Sequence, residues 1–69
     1  MIHQLTHINP KAKIGANVSI EAFTSIHEDV EIGDGTWIGS NVTIYPGARI
    51  GKNVRIFPGA VISAIPQDL

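Results

Sequence analysis

Isoleucine returns at every sixth position along almost the whole chain: Ile2, Ile8, Ile14, Ile20, Ile26, Ile32, Ile38, Ile44, Ile50, Ile56 and Ile62. Ile65 alone falls outside the register. Six residues turn a helix through about 240° but return a strand to the same face. The series therefore predicts stacked β-structure, and a fixed six-residue period is the signature of a parallel β-helix whose short strands coil around one core.

The rest of each hexad agrees. Two positions before successive isoleucines stand Thr6, Ala12, Val18, Thr24, Val30, Thr36, Val42, Ala48, Val54 and Ala60, all small or β-branched. Strand alternation puts them on the inward face with the following Ile. The residue between points outward and is mostly polar: His7, Lys13, Ser19, Ser25, Glu31, Thr43, Arg49, Arg55 and Gln67, with Trp37 and Val61 as exceptions. The three positions after each Ile must turn a corner. Pro46-Gly47, Pro58-Gly59, Asp34-Gly35, Ser40-Asn41, Lys52-Asn53 and Ala16-Asn17 suit it, because Gly and Asn tolerate positive φ and Pro-Gly fits the centre of a type II turn.

With 69 residues the chain is one domain, near the size where burial becomes marginal. The ending Gln67-Asp68-Leu69 offers no polar closing element, so residues 1–69 are expected to be the N-terminal part of a single β-helix, open at its C-terminal end. Net charge is −1 and the five basic residues are scattered, which argues against nucleic acid as a partner. Without cysteine there is no thiolate nucleophile or Cys zinc site in this segment. No basic region followed by an apolar run opens the chain, and no stretch approaches the ~18 apolar residues of a membrane span. A cytoplasmic protein without membrane insertion is the expectation.

If three hexads make one triangular turn, residues eighteen apart stack. One face then carries Lys13, Glu31 and Arg49, with Gln67 next; a second Ser19, Trp37 and Arg55, placing a guanidinium near an indole; a third His7, Ser25, Thr43 and Val61. Gly15, Gly33 and Gly51 share a corner, where glycine suits the bend. Exposed pairs of this kind contribute little, so solvated packing is the simplest account of the columns. His3 stands at a corner, His7 on a face, and His27 on a corner between Asn9 and Tyr45. Different hexad positions for His3 and His7 argue against a shared metal.

Ile14-Gly15-Ala16-Asn17-Val18, Ile32-Gly33-Asp34-Gly35-Thr36, Ile38-Gly39-Ser40-Asn41-Val42 and Ile50-Gly51-Lys52-Asn53-Val54 follow an Ile-Gly-x-x-small pattern. These repeats resemble the hexapeptide-repeat acyltransferases, and the resemblance covers essentially the whole chain. It implies an all-β, left-handed parallel β-helix of about three and a half coils, with three strands per triangular coil. The opening Ile8-Asn9-Pro10-Lys11-Ala12 and the ending Gln67-Asp68-Leu69 look like the N-terminal part of the UDP-N-acetylglucosamine O-acyltransferases. That family transfers a 3-hydroxyacyl chain from acyl carrier protein to the 3-hydroxyl of UDP-N-acetylglucosamine, the first step of lipid A biosynthesis, as a cytoplasmic homotrimer. The resemblance implies no metal or other cofactor beyond the carrier's phosphopantetheine. It also places the family's catalytic histidine beyond Leu69, so no catalytic residue is expected here and the segment alone is expected to be inactive.

The pattern fails once. Asp68 stands where the next Ile of the series belongs, and Pro66 fills the small slot before it. An unpaired carboxylate is costly to bury in an apolar prism, so the coil is expected to change course there. A simple insertion between coils accounts for this; the resemblance adds that the family's Gln-Asp pair at this place contacts the sugar nucleotide. Gln67 and Asp68 are therefore the candidate substrate-binding residues. Two alternatives stay open: the sister N-acyltransferase of the same pathway, and a non-catalytic scaffold. For a scaffold, Phe23, Tyr45, Phe57, Val61 and Ile65, all off the inward slots, form a candidate subunit contact; scattered exposed apolar residues that need no explanation are the equal alternative.

Overall fold

The computed structural model describes residues 1–63. They form ten two-residue strands: β1 (His7–Ile8), β2 (Lys13–Ile14), β3 (Ser19–Ile20), β4 (Ser25–Ile26), β5 (Glu31–Ile32), β6 (Trp37–Ile38), β7 (Thr43–Ile44), β8 (Arg49–Ile50), β9 (Arg55–Ile56) and β10 (Val61–Ile62). Every third strand pairs in parallel, giving sheets β1-β4-β7-β10, β2-β5-β8 and β3-β6-β9. The result is a left-handed parallel β-helix of triangular section. Among the described residues no helix is long and apolar enough to cross a membrane.

The register is the expected eighteen: Ile14 pairs with Ile32 and Ile32 with Ile50, and Ile20 with Ile38 and Ile38 with Ile56. Ile2 joins the same column through a bridge to Ile20. Ile20, Ile26, Ile38 and Ile44 are fully buried together with Val30, Val42, Thr24 and Thr36. At the first coil Ile8, Ala12 and Ile14 are only partly buried, since no coil stacks on their outer side.

The corners follow one rule. The third residue after each Ile takes a left-handed φ at eight successive corners: Asn17, Phe23, Asp29, Gly35, Asn41, Gly47, Asn53 and Gly59. Asn, Asp and Gly adopt this conformation readily; Phe23, at φ 63°, does not, and a bulky side chain there costs roughly 1–2 kcal/mol. The first corner differs. Ala12 N–H donates to the Asn9 carbonyl at 2.9 Å and Lys11 N–H to Asn9 Oδ1 at 2.9 Å, so the Asn9 side chain supports that turn.

Two features of the stacking lie beyond the hydrophobic pattern. Thr24 and Thr36 are buried because their hydroxyls bridge coils. Thr24 Oγ1 donates to the Gly39 carbonyl at 2.8 Å and accepts from Val42 N–H at 3.3 Å; Thr36 does the same with Gly51 and Val54 at 2.8 and 3.2 Å. The Gly15, Gly33 and Gly51 column is also not a matter of bending, since none of these has a positive φ. A Cβ on Gly33 would lie 2.6 Å from the Gly51 carbonyl carbon, and one on Gly15 would lie 2.8 Å from Asp34 N. Glycine is required at Gly15 and Gly33 because the next coil passes directly against them.

Two outcomes are expected. Ile38→Asp places a charge at a fully buried site, and calorimetry of the full-length protein should show cooperative melting lost; an unchanged melting temperature would contradict the inward placement. Gly33→Ala should destabilise by about 1–3 kcal/mol through overpacking against backbone, read as a lowered denaturant midpoint with an unchanged slope.

Candidate functional site

Gln67 and Asp68, the sequence-predicted substrate contacts, lie outside the described residues, as do the expected break at Pro66 and the contact residue Ile65. What the structure does place is the chemistry of three long sides. Each side is built from an outward strand residue, the last corner residue before it, and the first corner residue after it.

The side over β2-β5-β8 is charged. It carries Lys11, Lys13, Asp29, Glu31 and Arg49, and Lys13, Glu31 and Arg49 stand in pairing register. Arg49 is the hub. Its Nη2 meets Asp29 Oδ1 at 2.8 Å, its Nε lies 3.4 Å from Glu31 Oε2, and its Nη1 donates to the Asp29 carbonyl. The hydrogen bond to Asp29, with the Asp29 and Glu31 charges, holds the Arg49 pKa above its ordinary value. The column Lys13-Glu31-Arg49 thus stacks as expected, but its main partner, Asp29, comes from the preceding corner and was not singled out in the sequence.

The side over β3-β6-β9 carries Ser19, Trp37 and Arg55. Here the Arg55 guanidinium carbon sits 5.3 Å from the Trp37 ring centroid, covering the half-buried indole as the eighteen-residue stack implies.

The side over β1-β4-β7-β10 differs from both. Its four rows read Leu5-His7-Asn9, Phe23-Ser25-His27, Asn41-Thr43-Tyr45 and Gly59-Val61-Ser63, without one Asp, Glu, Lys or Arg. His27 stacks on Tyr45, ring centroids 5.3 Å apart and planes 25° apart, which accounts for its place on the corner. His7, Asn9, Ser25, Ile26 and His27 line a shallow cleft of about 200 Å³, below the ~300 Å³ of the smallest ordinary ligand pockets. His3 lies apart at its corner, where its Nδ1 accepts from Leu5 N–H at 3.0 Å. Among the described residues no three His, Cys, Asp or Glu side chains converge as a metal set.

The described residues supply a three-sided scaffold with one charged side, one Trp-Arg side and one uncharged side. The solved UDP-N-acetylglucosamine acyltransferase from Campylobacter jejuni matches the chain with a TM-score of 0.91 at 33% identity, over 100% of this chain and 27% of that one. The chain thus spans about a quarter of that protein's length. Comparison with curated proteins finds no match. The family model described as bacterial transferase hexapeptide (six repeats) matches residues 29–64, the stretch that begins at the Asp29 corner and runs through β5 to β10. With more than half its length matched by that model, the chain belongs to the bacterial hexapeptide transferase family.

Proposed function

We propose that the chain is the N-terminal scaffold of an acyltransferase that moves a 3-hydroxyacyl group from acyl carrier protein to the 3-hydroxyl of UDP-N-acetylglucosamine. The observation that carries this reading is the structural likeness of the chain to a quarter of a transferase named for that sugar nucleotide. The family's fold supports it, as does the match of sequence ending, Gln67-Asp68, to the family's sugar-nucleotide contact.

In this reading the sugar hydroxyl attacks the thioester carbonyl carbon. The C–O bond forms, the C–S bond breaks, and a general base takes the hydroxyl proton and passes it to the leaving thiolate. A histidine near neutral pKa suits that exchange, and the family supplies it from coils after Leu69. No metal or redox cofactor enters the scheme; the acyl donor brings its own phosphopantetheine. Gln67 and Asp68 bind rather than react, with amide and carboxylate groups that hydrogen-bond sugar or pyrimidine and orient the hydroxyl. The protein works in the cytoplasm as a homotrimer, in the first step of lipid A synthesis.

Purified full-length protein should acylate UDP-N-acetylglucosamine from acyl carrier protein thioesters. Absence of turnover across donors of several chain lengths would favour a non-catalytic scaffold, and turnover only on an acylated amino sugar would favour the sister N-acyltransferase. Asp68→Ala should raise the sugar-nucleotide Kd roughly tenfold to a hundredfold, the scale of a lost hydrogen bond to a charged group, with the melting temperature unchanged. Unaltered affinity by calorimetric titration would remove Asp68 from the site.

A further inference from the structure

Two of the three histidines line one cleft. His7 on β1 pairs with Ser25 on β4, and Ile8 with Ile26; His27 then follows Ile26 as Asn9 follows Ile8, and all four polar residues border the same hollow of about 200 Å³. That volume is below what ordinary organic ligands occupy and ample for one ion with its waters. His27 is already held, half-buried with its ring stacked on Tyr45 at 5.3 Å between centroids. His7 is exposed, with its ring free to turn. Among the described residues neither imidazole makes a hydrogen bond, nor does the Ser25 hydroxyl, whereas His3, standing apart, spends its Nδ1 on Leu5 N–H. The Asn9 Oδ1 that accepts from Lys11 N–H at 2.9 Å keeps a second lone pair.

We propose that His7 and His27 together hold one divalent transition-metal ion between the first and second coils, with Ser25 Oγ and water completing its coordination. The donor set selects the ion. Imidazoles with neutral oxygens suit Zn²⁺, Ni²⁺ or Cu²⁺, whereas Ca²⁺ and Mg²⁺ call for carboxylates, and this side carries none on its four rows. It carries no Lys or Arg either, so nothing there repels a cation and nothing there attracts an anion. Two protein ligands make a weaker site than the three or four of dedicated zinc centres, which suits a clamp. His7 belongs to the first coil, whose Ile8, Ala12 and Ile14 are only partly buried, and His27 to the next, so the bound ion ties that coil to the buried stack. The inference rests on the fold and not on the transferase reading.

Calorimetric titration of the full-length protein with Zn²⁺, after a chelator has stripped it, tests the site. His7→Gln and His27→Gln should each weaken it by about tenfold or more, and the double variant should bind no more weakly than either alone, because a single imidazole no longer holds the ion. His3→Gln should leave the affinity unchanged. Without metal, His7→Gln should melt with the parent, since His7 is exposed, which separates lost binding from lost folding. Saturating Zn²⁺ should also slow amide exchange at His7 and Asn9 in the parent but not in His7→Gln; these N–H groups donate to the Thr24 and Ile26 carbonyls across the same two coils, at 2.9 and 2.8 Å. Zn²⁺ affinity unaltered in both single variants, losses that add as they would for two separate surface histidines, or exchange unmoved by saturating Zn²⁺ would overturn the proposal. None of these readouts involves acyl transfer, so a failed clamp leaves the transferase reading standing and a failed transferase leaves the clamp.

Discussion

The eighteen-residue hydrogen-bond ladder is the constraint on which everything else rests. Backbone amides of one coil reach carbonyls seventeen residues on, as in His7 N–H to Thr24, Lys13 N–H to Val30, Ser25 N–H to Val42 and Trp37 N–H to Val54, at 2.8–2.9 Å. Left-handed corner amides answer in the opposite sense, as in Gly35 N–H to Ala16 at 2.9 Å and Gly59 N–H to Ser40 at 3.0 Å. With strands of only two residues, neither side chains nor local propensity could hold a sheet; the coil above and below must satisfy each backbone group. Once the coils are spaced by that ladder, Ile must sit on Ile, and Gly33 must be glycine because Gly51 passes 2.6–2.7 Å from where its Cβ would be.

Much of this was legible in the sequence because the repeat is so regular. The inward columns, the strand centres, the outward stacks and the Arg55–Trp37 pair follow from counting by six and by eighteen. The misses have physical causes. Glycine after Ile reads as a bend former, yet at Gly15 and Gly33 it answers close approach between coils, which composition does not reveal. Thr24 and Thr36 read as small β-branched fillers, while their hydroxyls bridge adjacent coils. Phe23 hides because nothing in its side chain announces a left-handed corner; only its place, three after Ile20, does. Asp29 hides for the same reason, and its pairing with Arg49 crosses from a corner to the next coil's strand. The candidate substrate contacts, Gln67 and Asp68, rest on the family resemblance at an interruption of the isoleucine series, and they lie outside the described residues.

A prism with a uniform interior can vary only on its sides, and the three sides here differ in kind. Charge is gathered and internally paired on one, where Arg49 takes up both Asp29 and Glu31. Another presents an indole beneath a guanidinium. The third is left uncharged with its aromatics exposed. Family membership accounts for the scaffold, and the outward residues give each side its own chemistry.

Backbone amide hydrogen exchange across residues 1–63 in the full-length protein tests the coil ladder most directly. The account predicts that the amides of Ser25, Glu31 and Trp37, each bonded to the following coil, exchange together and slowest. It also predicts that His7 and Lys13, in a first coil that is covered on one side only, exchange faster. Exchange of Glu31 and Trp37 at the rate of exposed corner amides would contradict the stacked-coil register itself.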